Sequence, residues 1–279
     1  MNRKALTVVL LCVLTRIPAL AMNQDRSALS GLYTINHAIP TDWPIGTNFN
    51  SFADAVNTVM IEGVADAVVF DVYDDGGPYN ETIGAGGTLG LIPGVSEVNT
   101  VTFREAAGED VELSSNSSYG IHVTDPDSGE DPQYLTFEGF RIDSTNYSPV
   151  FVLDGDFITL RNCEISCSNN NYPGIQFLGS GGDYCQSPLI VNTMITGNSS
   201  AAISLTNTPG ADVIFNSIYQ TRGTGIFMDS QTAYDVPARV ANNAVYCSNN
   251  TYGLPVVISS TSELPLVMDH NDWYAENTS

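Results

Sequence analysis

Residues 174–177 read Gly174-Ile175-Gln176-Phe177, and the pattern returns as Ala202-Ile203-Ser204-Leu205 and Gly225-Ile226-Phe227-Met228. Upstream it reads Gly120-Ile121-His122-Val123 and Pro149-Val150-Phe151-Val152, and downstream Pro255-Val256-Val257-Ile258. Each version starts on a small or turn residue and then alternates apolar, variable, apolar. Alternation with a period of two marks a strand with one buried face. The steps between the first apolar positions are 29, 25, 28, 23 and 30 residues, which is the spacing of a repeat architecture.

A second pattern interleaves with the first. It runs Phe137-Glu138-Gly139-Phe140-Arg141-Ile142, Leu160-Arg161-Asn162-Cys163-Glu164-Ile165, Ile190-Val191-Asn192-Thr193-Met194-Ile195 and Ile214-Phe215-Asn216-Ser217-Ile218-Tyr219. Two further copies, Val240 to Tyr246 and Met268 to Tyr274, fit if Ala241 and Asp269 are set aside as extra residues. Aligned this way, Asn162, Asn192, Asn216, Asn243 and Asn271 form one column. Asparagine tolerates the left-handed backbone of a tight bend, and stacked amides hydrogen-bond along a ladder, so the column reads as structural. Ile121, Val150, Ile175, Ile203, Ile226 and Val256 form an inward column, and Val123, Val152, Phe177, Leu205, Met228 and Ile258 a second. Ile142, Ile165, Ile195, Tyr219, Tyr246 and Tyr274 form a third, which predicts a buried tyrosine stack rather than a sugar platform. Arg141, Glu164, Met194, Ile218, Val245 and Trp273 are expected outward, with Arg141 and Glu164 paired across adjacent coils. These periodicities predict an all-β, single-stranded right-handed parallel β-helix over residues 84–279, with coils about 4.8 Å apart.

Residues 22–83 break the repeat and read as an N-terminal cap. Gly31 to Ile35 and Val68 to Val72 are strand-like. Phe49, Phe52, Ala53, Val56, Val59 and Met60 recur at helical spacing, so an amphipathic capping helix is expected over 50–62, ended by Gly63. A stack of coils needs such a cap, because its open end otherwise presents apolar core and free strand edges. The Phe-x-x-Phe-Ala-x-Ala-Val helix, the Val-Val-Phe-Asp-Val strand, Gly77-Pro78-Tyr79-Asn80-Glu81 and the Asn-x-x-Ile coils together resemble pectin-lyase-like β-helix proteins. The resemblance covers nearly all of the chain after residue 21. It implies one scaffold shared by pectate lyases, pectinesterases, polygalacturonases, alginate-active enzymes, tailspikes and adhesins, and fold does not choose among them.

At the N-terminus, Arg3 and Lys4, the apolar run Ala5 to Leu14 and Ala19-Leu20-Ala21 have the order of a secretory signal peptide over residues 1–21. The run is too short to span a bilayer, and no later segment is long enough. Removing the leader takes away Arg3, Lys4 and Arg16 and leaves six basic residues, all arginine, against 31 acidic ones. Such a surface repels phosphate backbones, so nucleic acid is excluded as a partner, and it also repels polyanionic sugars unless calcium bridges them. Four cysteines remain (Cys163, Cys167, Cys185 and Cys247), enough in an exported protein for two disulfides of three possible connectivities.

No catalytic constellation is legible. The Asp-Asp pair is Asp74-Asp75, in the cap, and no Asn-Thr-Asp occurs, so the motifs that the resemblance implies for a polygalacturonase are missing. A lyase needs a base such as Arg141, Arg161 or Arg222, and a glycosidase needs paired carboxylates, for which Glu138, Asp143 and Glu164 are candidates. Asp125, Asp127 and Asp131 alternate around Gly129, which suits either a calcium loop or a solvated acidic turn. Residues 269–274 open a coil that the sequence does not complete, so end-to-end self-association or a missing C-terminal region is expected. The expected function is an extracellular or cell-surface β-helix module, non-catalytic, contacting polysaccharide or surface glycan. The alternative is a polysaccharide lyase or glycoside hydrolase of the pectin-lyase-like type.

Overall fold

The computed structural model describes residues 27–84, 87–115, 118–124, 131–180, 183–230, 236–248, 253–260 and 266–276. It is a right-handed parallel β-helix of three sheets, with ten, seven and six strands among the described residues. Every strand pairs in parallel with its counterpart one coil away, so each sheet is a column of equivalent segments. The inward side chains form one continuous core. Phe70, Phe103 and Phe137 stack within it on successive coils, at centroid distances of 4.8 and 5.8 Å. The six-stranded sheet has the expected register, with Ile121, Val150, Ile175, Ile203, Ile226 and Val256 side by side.

The expected cap elements are present. Strands Leu29–Asn36 and Val64–Tyr73 pair with each other and open the ten-stranded sheet. The helix Phe52–Glu62 buries Phe52, Ala55, Val56 and Val59. Ser51 caps it by accepting from the Asp54 N–H, and the Glu81 carboxylate accepts from the N–H groups of Phe52 and Ala53. The carboxylate satisfies orphan donors and opposes the positive end of the helix dipole. Gly63, at φ 71°, ends the helix in the left-handed region that glycine enters without strain. No helix among the described residues is long and apolar enough to cross a membrane.

The bend between the ten- and seven-stranded sheets corrects the asparagine column, which is two adjacent columns. Gly139, Asn162, Asn192, Phe215, Asn242 and His270 occupy the left-handed position, at φ between 49° and 85°. Asn216, Asn243 and Asn271 follow one residue later, and the first two are 1% and 2% exposed. The Asn216 side-chain amide donates to Asn243 Oδ1 at 3.0 Å, and that of Asn243 donates to Asn271 Oδ1 at 2.9 Å. Each of these oxygens also accepts a backbone N–H from the preceding coil.

Aligning on asparagine therefore slips the last three coils by one residue, and in a strand a one-residue slip exchanges the two faces. The inward column of the seven-stranded sheet is Ile142, Ile165, Ile195, Ile218, Val245 and Trp273. Tyr219, Tyr246 and Tyr274 are outward, in register with Asp143, Ser166 and Thr196, and Ala241 and Asp269 are ordinary strand residues rather than insertions.

The expected disulfides are also absent, since all four cysteines are free and buried. Cys167 and Cys247 share an inward column but are separated by Gly197 and Gln220. Three coils at about 4.8 Å each exceed the ~7 Å Cα separation that a disulfide tolerates. Burial pushes the Cys163 and Cys185 thiols up to about 12, so they act as small apolar core residues and not as nucleophiles.

Candidate functional site: an exposed tyrosine ladder

The outer face of the seven-stranded sheet changes character along the helix. Its first coils carry Glu112, Arg141 and Glu164 in one column, with Ser114, Asp143 and Ser166 in the next. From Met194 onward the first column becomes Met194, Ser217, Ala244 and Asp272, while the second becomes Thr196, Tyr219, Tyr246 and Tyr274. Small residues beside large aromatic ones leave a groove of about 510 Å³, with Ser217 and Ala244 as its floor and the tyrosines as one wall. Met194 and Asp272 lie at its two ends.

The tyrosine rings stack because equivalent positions repeat at the coil rise. Tyr219 and Tyr246 have centroids 5.1 Å apart with planes within 4°, and Tyr246 and Tyr274 are 4.8 Å apart and within 9°. Tyr219 is 47% and Tyr274 53% exposed. The Tyr246 hydroxyl donates to Glu276 Oε2 at 3.1 Å, and this bond, with burial a smaller contribution, raises the pKa of the phenol. Among the described residues, Asp272 is the one acidic or basic side chain lining the groove.

The residues expected to carry chemistry are divided between two sheets, with Asp143 and Glu164 as diagonal neighbours on the outer face of adjacent coils. Glu138 lies on the ten-stranded sheet, whereas Asp143 and Glu164 lie in different columns of the seven-stranded sheet. Arg141 bonds Asp110 and Glu112 of the preceding coil rather than Glu164, because both acids precede it at the same sheet edge. Arg161 pairs with Glu138 at 2.6 Å, Arg104 with Asp71 at 2.6 Å and Arg239 with Asp212 at 3.2 Å. Arg222 makes no ion pair among the described residues and lines a cleft at the next corner.

Asp125 and Asp127 lie outside the described residues. Asp131 is described, and burial together with the Asp183 and Asp154 charges raises its pKa. Among the described residues no three metal-ligating side chains converge. The signal peptide expected over residues 1–21 also lies outside the described residues.

The fold and its outer groove define a β-helix with an aromatic surface track. The family model described as "Right handed beta helix region" matches residues 119–271, more than half of the chain, and the chain belongs to that family. Among solved structures, the crystal structure of Escherichia coli YbhC is similar, with 12% identity and a TM-score of 0.47 over 98% of this chain and 87% of that one. No curated protein matches the sequence.

Proposed function

We propose that the protein is a non-catalytic carbohydrate-contact module that is exported and holds neutral glycan in the tyrosine groove. The outward-facing Tyr219–Tyr246–Tyr274 ladder carries this reading. Sugars present C–H patches that pack on aromatic surface and hydroxyls that bond polar atoms at its rim. The groove offers both, with tyrosine rings for packing and Ser217, Thr196 and Asp272 for hydrogen bonding. A formal charge of −22 disfavours polyanionic ligands and leaves uncharged glycans as the better class. Of the candidate groups, Arg141, Arg161 and Glu138 are held in ion pairs, which supports binding over catalysis because groups held by each other are not free to move a substrate proton. The leader-like N-terminus supports export.

The test is a panel of immobilised polysaccharides screened with calcium and with chelator, which also probes the candidate calcium loop of Asp125, Asp127 and Asp131. Retention of the protein on at least one neutral polymer is expected, without new reducing ends or unsaturated-product absorbance. Release of either product would identify an enzyme and overturn the reading.

A further inference from the structure

Arg222 breaks the rule that governs the other described arginines. Arg104, Arg141, Arg161 and Arg239 each bond a carboxylate one coil earlier. Arg222 is exposed and makes no ion pair among the described residues. It lines a cleft of about 310 Å³ with Asn170, Ser199, Ser200, Gly223 and Thr224, none of them acidic. In a chain with 31 acidic residues, a lining with a cation and no carboxylate is a selective environment.

The cleft is held in place by backbone. Gly223 has φ 81°, and a Cβ there would overlap the carbonyl oxygens of Ser199 and Ser200, so only glycine lets the Arg222 turn lie so close to the preceding coil. The Ser200 N–H in turn donates to the Tyr172 carbonyl at 3.2 Å, which ties the floor of the cleft to the Tyr172 loop. Tyr172 ends a second aromatic series. Tyr119 and Tyr147 have centroids 5.3 Å apart, and Tyr147 and Tyr172 5.5 Å, on three successive coils before the six-stranded sheet. One corner of the helix thus presents aromatic rings followed by a polar cleft holding a guanidinium.

We propose that this corner binds a single oxyanion, a sulfate ester or a carboxylate, carried on an otherwise uncharged glycan. The planar guanidinium takes two oxygens in a bidentate contact, and Asn170, Ser200 and Thr224 supply further donors. The ring series gives the rest of the ligand an apolar surface, while the acidic body of the protein repels ligands with many anionic groups. The site uses none of the residues of the tyrosine groove.

The side-chain Nε–H spectrum of the full chain tests the proposal. Sodium sulfate and sodium acetate are titrated separately, with ionic strength held constant by sodium chloride. One cross-peak, the one missing in Arg222→Gln, should shift and saturate, whereas the Arg239 peak stays in place. Arg222→Lys should weaken binding several-fold without abolishing it, and both variants should melt with the wild type because the side chain is exposed. Glucose 6-sulfate and glucuronic acid, compared at equal ionic strength, then identify the preferred oxyanion. Tyr246→Ala should leave these shifts unchanged, so failure of the groove and failure of this site are separate results. The proposal is overturned if neither anion shifts the Arg222 peak saturably, or if several arginine peaks move together.

Discussion

Phe215 holds a backbone conformation that suits its neighbours better. In register with Asn162, Asn192 and Asn242 it has φ 58°, and its ring is 58% exposed. A side chain without a local hydrogen bond is strained in that region by about 1 kcal/mol, and asparagine is tolerated there. Phe215→Asn should therefore raise the melting temperature by a few degrees, and an unchanged or lower value in a thermal scan would refute the strain. Asp156 gives a second residue-scale prediction. Burial, aided by the Asp131 and Asp154 charges and opposed by the Gln186 N–H, lifts its carboxyl to about 6. Its folded pKa lies above that of the unfolded chain, so its ionisation removes stability as pH rises from about 4 through 6. Asp156→Asn should melt higher than the wild type at pH 8, with the difference closing near pH 4. A constant difference across melts at pH 4, 6 and 8 would argue against this titration.

At the scale of elements, the bend is specified by a ladder of amides. Asn243 accepts from the Asn216 backbone and side chain, and its own amide donates to the carbonyls of Val213 and Ala241 and to Asn271 Oδ1. Asn243→Ala would leave several of these buried groups unpaired. It should cost on the order of 3 kcal/mol in denaturant unfolding, while a loss below 1 kcal/mol would show that the ladder is dispensable. The same bend explains what the sequence reveals of the fold and what it conceals. The six-stranded sheet is legible because its strands alternate cleanly between a turn residue and a branched apolar column. The seven-stranded sheet is legible only as far as Ile195. Beyond it asparagine moves from the left-handed position to the buried one, so the most conspicuous residue is a misleading anchor. The run Ile195, Ile218 and Val245 aligns with no insertion, and that continuity is the signal that turns the tyrosines outward. The groove was hidden by this single slip. The Arg222 cleft, by contrast, depends on coil-to-coil pairing of charges that lie more than 20 residues apart in the chain, which no local pattern displays.

Over the whole molecule, stacking converts composition into surface. Asp71, Arg104, Glu138 and Arg161 occupy successive coils of one column, so charges of opposite sign alternate along the helix and each arginine offsets acidic neighbours. Exposed pairs of this kind contribute little individually, and the excess of acid remains. Self-repulsion should thus dominate, and melting temperature should rise between about 20 and 500 mM sodium chloride as screening increases. A fall over that range would mean that the paired arginines outweigh the net charge. The elongated scaffold leaves its outer face to function, and the tyrosine ladder is the part of that face we assign to ligand. The most direct measurement is a binding titration of wild type and Tyr246→Ala on a neutral polysaccharide that retains the protein, with melting curves of both in the same buffer. We predict a loss of affinity of about tenfold or more, with any change in melting temperature small by comparison, as for an outward-facing aromatic anchor. Equal affinity of the two proteins would contradict the assignment of the groove.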